Sequence, residues 1–401
     1  MISKTSPDSS VAPAVPSSAT TPTGAPAGAP TAKPGTPPAL ARTRSAPKSR
    51  PTHFVQSDHH RQTAEHESSS RYWNRLLTPY IGADNRAAIF QLVTTLLLFA
   101  VTWAVMYLSL NVHYVLTLLL AIPAAGLVTR LFIFQHDCGH GSFFRSHRAN
   151  TIVGTALGVL TITPYHYWRR THAIHHATSG DLDRRTFGDI ETRTVKEYLS
   201  MSWWARTYYR VYRNIFVILF VGPFYQFVLK HRLPLDIPRS WKREWASVMI
   251  TNVGIAALVT LAWFTIGIKA FLLIQVPITL FSGAMGIWLF YVQHQFEDTY
   301  WREHPDWDFH KAGIEGSSYY DLPKVLHWFT GNIGYHHVHH LASRIPNYKL
   351  AKCFKEVPEL HKVTRLTIPN SIRCARLHLW DEESQRLVSF SHVRGMPRQR
   401  A

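Results

Sequence analysis

The stretch whose reading decides the fold is residues 114–140, YVLTLLLAIPAAGLVTRLFIFQHDCGH. Its first part, Tyr114 to Phe134, is apolar except for Arg130. It is about as long as a helix that crosses a bilayer, ~20 residues. It runs directly into His136 and His140, which sit four apart and so share one helix face. The segment predicts a membrane span that emerges at a metal-ligating histidine pair.

Working upstream, a second apolar run covers Ile89 to Leu110 and is separated from the first by only Asn111-Val112-His113. So short a link leaves room only for a tight hairpin. Downstream, Ala246 to Ile268 and Phe271 to Val292 form another pair joined near Lys269. None of the four runs holds Asp or Glu, and Arg130 lies near a helix end from which it can snorkel. Two shorter runs, Ile152 to Pro164 and Ile215 to Leu229, fall short of a comfortable span and read as interfacial helices, with extra spans as the rival reading.

Orientation follows from the basic residues. Arg71, Arg75 and Arg86 precede the first span. Arg145, Arg148, Arg169 and Arg170 follow the second, and Arg302, Lys311 and Lys324 follow the fourth. The two hairpin tips carry only Lys269. The positive-inside rule then places both termini and the middle region in the cytosol. The expected fold is an all-α integral membrane protein: four transmembrane helices in two hairpins, plus a cytosolic helical cap.

The remaining composition bounds the partners. The chain has 401 residues, a formal net charge of +18 and three cysteines. A basic balance fits anionic lipid head groups or an acidic protein partner. No zinc-finger, RRM or KH pattern supports nucleic acid. Cys138, Cys353 and Cys374 form no CxxC and no disulfide framework. Residues 1–67 are rich in Pro, Ala, Ser and Thr and read as a disordered tail without a secretory h-region. The tail is basic and poor in acids, as organellar transit peptides are, but its prolines argue against the amphipathic helix they form. The expected divisions are this tail, a membrane domain over 68–360 and a cytosolic C-terminal tail over 361–401.

Two further histidine clusters lie on the same predicted membrane face: His172, His175 and His176 in HAIHH, and His336, His339 and His340 in HHVHH. A trio at i, i+3 and i+4 can offer two nitrogens to one ion and one to its neighbour. Zinc sites take about four ligands, often including Cys or carboxylate. The eight imidazoles are twice that number, and an all-nitrogen dinuclear site suits a redox metal such as iron. Metal-bound imidazoles usually donate their other N–H to a carboxylate or carbonyl. Asp137, Asp181, Asp183, Asp189, Glu297 and Asp298 are candidates for that support. A metal transporter or sensor is the rival class, but transport demands ionisable residues within the spans, and the middles of these hold neither acid nor histidine.

Three strings carry a family resemblance: HDCGHGSFF from His136, WRRTHAIHHATSGDLD from Trp168, and GNIGYHHVHHLASRIPNYKL from Gly331. They resemble the membrane fatty acid desaturases, nearest in look to the acyl-lipid delta-12/omega-6 branch with its bacterial members. The resemblance covers about Arg71 to Leu360. It implies a non-haem di-iron enzyme with O2 as co-substrate, ligated by His136, His140, His172, His175, His176, His336, His339 and His340. It adds His294, at the cytosolic end of the fourth span, as a ninth ligand. The acyl-CoA branch has an Asn one turn earlier, where this chain has Phe290, so that feature does not carry over. Asn332, one turn before His336, stands as a supporting group. His337 and His166 have no family role. The implied reaction places a cis double bond in an acyl chain carried on glycerolipid, CoA or carrier protein.

Aromatic residues near the boxes, Trp168, Phe143, Phe144, Trp328 and Phe329, are candidates to line an acyl tunnel. No HPGG haem motif and no iron–sulfur pattern is present, so a separate donor is implied, a ferredoxin or cytochrome b5-type protein. The implied location is a bacterial plasma membrane, with an organellar membrane as the alternative. On the same scaffold, hydroxylase, acetylenase and carotenoid oxygenase remain rival outcomes.

Overall fold

The computed structural model describes residues 69–185 and 188–397. The tail reading for residues 1–67 lies outside them. The described chain is mostly helical, and four of its helices are long and apolar enough to cross a membrane. These are α1 (Asn85–Ser109) and α2 (Tyr114–His140), then α6 (Lys242–Thr265) and α7 (Ile268–His294). Between the two pairs come α3 (His147–Leu160), α4 (Tyr165–Thr178) and α5 (Trp203–Tyr212). After α7 come α8 (Phe309–Glu315), α9 (His336–Leu341) and α10 (Asn347–Glu356).

Local chemistry sets the helix ends. The Asp84 carboxylate accepts from the Arg86 and Ala87 amides and caps α1. His113 Nδ1 accepts from the Val115 amide and opens α2 after a four-residue link. Pro123 and Pro277 sit inside α2 and α7, as membrane helices tolerate. The apolar run of α2 ends at Phe134, but the helix continues through both histidines. It stops at Gly141, whose left-handed φ of 69° lets its N–H turn back to Asp137 O and Cys138 O.

α2 is the central helix. Of its apolar window 61% is buried, against 11%, 17% and 22% for α1, α6 and α7. Small residues make this possible: a Cβ added at Gly126 would come within 2.6 Å of the Phe329 ring. Arg130 does not snorkel. It is buried and donates to Thr95 Oγ1 (3.2 Å), Gln91 Oε1 (3.0 Å) and the Trp328 carbonyl. Its guanidinium lies 4.3 Å from the Trp328 ring centroid. An intramembrane charge must find partners, and here helix α1 and the segment around Trp328 supply them. Gln135, one position before the first histidine, accepts from Thr161 Oγ1 (2.6 Å) and donates to Thr163 O (2.9 Å). The turn between α3 and α4 is thereby pinned to α2, which brings the second box to the first.

The all-α expectation needs correction. Two small sheets are present: β1 (Arg193–Thr194), β4 (Leu379–Asp381) and β5 (Arg386–Val388) form one, and β2 (Tyr319–Asp321) pairs in parallel with β3 (Arg365–Thr367). Strands of two or three residues are too short to show an alternating pattern. After residue 360 the chain still contributes core, with Trp380 and Leu387 packed against Leu182 and Trp301. The run at 215–229 is helical over Val217–Lys230 and bends by 64° from α5.

Candidate metal centre

The ends of two long helices and two shorter helices converge. α2 supplies His136 and His140, α4 supplies His172, His175 and His176, α7 ends at His294, and α9 supplies His336, His339 and His340. The nine rings sort into two groups. His136, His140, His172, His176 and His339 form a five-histidine cluster; His175, His294, His336 and His340 form a four-histidine cluster. Within each, the ligand nitrogens lie within 4.8 Å of one another. The sorting follows helical spacing. In α4 the i and i+4 rings join the first cluster and the i+3 ring joins the second, and in α9 the split is reversed. The clusters adjoin: the His176 and His340 rings stack at 4.2 Å.

The nitrogens meet in a way that protein alone does not satisfy. Nε2–Nε2 separations are 3.0 Å for His136–His339, 2.9 Å for His339–His176 and 3.1 Å for His176–His172. In the second cluster they are 2.9 Å for His336–His294 and 3.1 Å for His340–His336. His175 donates from Nδ1 to Asp189 Oδ1 at 2.6 Å, and His294 donates from Nδ1 to the Gly316 carbonyl at 2.9 Å. A neutral imidazole has one N–H, and when that N–H is on Nδ1 the Nε2 carries the lone pair a metal would take. The Nε2 atoms of His140 and His175 are buried without a hydrogen-bond partner. Burial, and then the neighbouring imidazoles, hold His172, His176, His336, His339 and His340 well below the ordinary histidine range. Convergent imidazole nitrogens in the neutral form are the ligand form of histidine. The donor set fits two cations of the imidazole-binding first-row kind.

The groups behind the rings divide the sequence candidates. Asp189 holds His175. Asp137 Oδ1 lies 3.2 Å from His136 Nδ1, while its Oδ2 accepts from the Asn347 amide (2.7 Å) and Asn347 Nδ2 (2.8 Å). Asp181 and Asp183 do not reach these rings. They bind the loop after α7 instead, with Asp181 taking His304 Nδ1 (2.9 Å) and Arg184 Nε (2.6 Å), and Asp183 taking the His304 amide (2.8 Å). Glu297 and Asp298 pair with Arg386 at the surface. Asn332 bonds the Asn347 carbonyl at 3.2 Å rather than His336. His337 lies against Phe354 and Tyr319, outside both clusters. The His166 amide bonds Ser247.

Among the aromatic candidates, Trp168 stacks on His172 at 4.4 Å. Phe143 and Phe144 belong to the core around Phe134. Phe290 packs against both His175 (5.1 Å) and His294 (5.3 Å), closing that side of the four-histidine cluster with an apolar ring. The reading of the residues missed Asn347 and the Gly316 carbonyl. The first lies inside the third string, yet nothing in its spacing marks it. The second is backbone and leaves no trace in residue type.

The fatty acid desaturase family profile matches residues 109–368, which contain all nine histidines. The chain belongs to the fatty acid desaturase family. It is 43% identical over 335 residues to a fatty acid desaturase of Bacillus subtilis, covering 82% of this chain and 95% of that protein. It is 27% identical to a Synechocystis sn-1 acyl-lipid omega-3 desaturase (ferredoxin), over 57% of this chain and 63% of the relative. It is 28% identical to a chloroplastic sn-2 acyl-lipid omega-3 desaturase (ferredoxin) of Helianthus annuus, over 55% and 50%. The chain thus spans about half to two thirds of these two relatives. As a fatty acid desaturase it is an oxidoreductase acting on fatty acyl chains, and its four apolar helices mark it as a membrane protein.

Proposed function

We propose that this desaturase introduces a cis double bond into an acyl chain at a non-haem di-iron centre held by the nine histidines. The observation that carries the reading is the pair of adjoining clusters of convergent imidazoles in a chain of this family. Iron so ligated supplies the redox chemistry that activates O2 against unactivated C–H bonds. The balance is two hydrogens from adjacent methylenes, two electrons and two protons, with O2 reduced to two waters. The protein's part is positioning: one C–C bond must be held near the centre to ~1 Å. Asp189, Asp137 and the Gly316 carbonyl fix ring orientation and tautomer.

The proposed topology pairs α1 with α2 and α6 with α7 as two hairpins. α4, α9 and the sheets form a cap on the cytosolic side of a bacterial plasma membrane, with both termini on that side. The charge distribution supports this orientation. The substrate is an acyl lipid and the donor a ferredoxin or cytochrome b5-type protein. The ferredoxin-dependent, acyl-lipid names of two relatives and the +18 charge support this pairing, since a basic surface steers an acidic partner.

The proposed regiochemistry is delta-12/omega-6, on the resemblance of the three boxes. The omega-3 names of the same relatives favour a second reading, a bond three carbons from the methyl end. Gas chromatography–mass spectrometry of lipids from a host without polyunsaturated chains, with a His175→Ala control, separates them. A new bond absent in the control supports desaturation and gives its position. A hydroxy or keto product overturns the desaturase reading.

A further inference from the structure

Arg213 follows α5 and is fully buried. Among the described residues no carboxylate pairs with its guanidinium. Nη1 donates to Glu191 O (3.0 Å) and Thr192 Oγ1 (3.3 Å). Nη2 donates to Gln295 Oε1 (2.7 Å), Leu377 O (3.0 Å) and the Tyr291 hydroxyl (3.5 Å). Gln295 Nε2 closes the ring of bonds by donating to Thr192 Oγ1 at 3.1 Å. One turn earlier, Tyr209 reaches the same segments: its hydroxyl donates to His378 O (2.8 Å) and accepts from the Arg193 amide (3.0 Å). A buried charge is costly unless its donors are met; here both Nη groups are met by neutral oxygens, while Nε is buried without a partner among the described residues.

The segments that Arg213 joins are those behind one cluster only. The stretch at 191–192 continues directly from Asp189, which holds His175. Gln295 directly follows His294. His175 and His294 are two of the four ligands of the four-histidine cluster, and none of Arg213's partners adjoins a ligand of the other cluster. We infer that Arg213 is a positioning residue for the four-histidine cluster. It bolts the strap behind His175 to the helix end that carries His294, and to the segment at Leu377. The planar fork makes this possible, because it serves several acceptors in fixed directions, which a lysine ammonium does not. The inference rests on the two-cluster metal reading above.

The test uses the full chain in lipid nanodiscs, titrated anaerobically with ferrous iron, with iron per chain and thermal unfolding by circular dichroism as readouts. The parent is expected to take two equivalents. Arg213→Met is expected to keep one tight equivalent, a twofold drop, while its helices still melt cooperatively. Arg213→Lys also falls short of two. Thr192→Val, which removes one partner without burying a new group, is expected to weaken only the second equivalent, by ~10-fold or more. A merely structural role would lower both equivalents together or neither. Retention of two parental equivalents in Arg213→Met, or equal loss of both in a folded protein, overturns the inference. If Arg213→Met does not fold, Thr192→Val decides by the same criteria. A parent that takes fewer than two equivalents overturns the two-cluster reading instead.

Discussion

Of the two histidine clusters, the one built on His136, His140, His172, His176 and His339 leaves three rings half-buried, whereas all four rings of His175, His294, His336 and His340 are buried. Their backing differs as well. The five-histidine cluster is braced by a ring stack from Trp168 and by Asp137, itself gripped by two donors of Asn347. The four-histidine cluster is braced by Asp189, whose second oxygen is buried without a partner among the described residues, and by a backbone carbonyl. One cluster has more ligands and a doubly held carboxylate. The other has fewer histidines and a carboxylate held on one oxygen only among the described residues. The lesson is that histidine number and supporting structure run together here, so damage behind the rings falls harder on the four-histidine cluster.

The largest effects come from the ligands. His340→Ala and His172→Ala are each expected to abolish product in the lipid assay, while each protein still binds iron at the untouched cluster. Loss of all iron from either variant would break the idea of two separable clusters. Next come the carboxylates. Asp189→Ala is expected to weaken iron binding at the four-histidine cluster by ~10–100-fold, and Asp137→Ala to do so at the other. A larger loss for Asp137→Ala would reverse the comparison. Asn347→Ala removes the Nδ2 donor to the buried Asp137 carboxylate and leaves the backbone amide in place, a cost of about 1–3 kcal/mol, read as a lowered melting temperature with a smaller loss of iron affinity. The smallest effect is Thr194→Ala, which removes a complete capping box from the helix Val195–Ser200. It should cost about 1 kcal/mol in thermal unfolding and leave both iron equivalents intact.

Much of the site was legible because helical spacing is local. HxxxH and HxxHH place imidazoles on one face wherever those helices go, and the split of each trio between the two clusters is a consequence of i, i+3 and i+4 geometry. The four spans were legible from length and apolarity, but their ends were not. Apolarity stops at Phe134 while hydrogen bonding carries α2 on to His140. Asp189 stood among several acidic candidates, and nothing local distinguished it from Asp181, because the choice depends on how the loop after α4 folds back under His175. Asp181 turned instead to His304 and Arg184. Arg130 carried the opposite risk: its charge was visible, but the three acceptors that bury it come from distant segments. The sheets escaped notice because two or three residues carry no period. Arg213 looked like one more basic residue, since burial cannot be read from a side chain's type.

The most direct measurement is a Mössbauer spectrum of the purified, iron-loaded protein, taken with its iron-to-chain ratio. The account predicts two iron atoms per chain and two quadrupole doublets of equal area, one for each nitrogen environment. A single iron per chain, or a doublet pattern unchanged by His340→Ala, would contradict it.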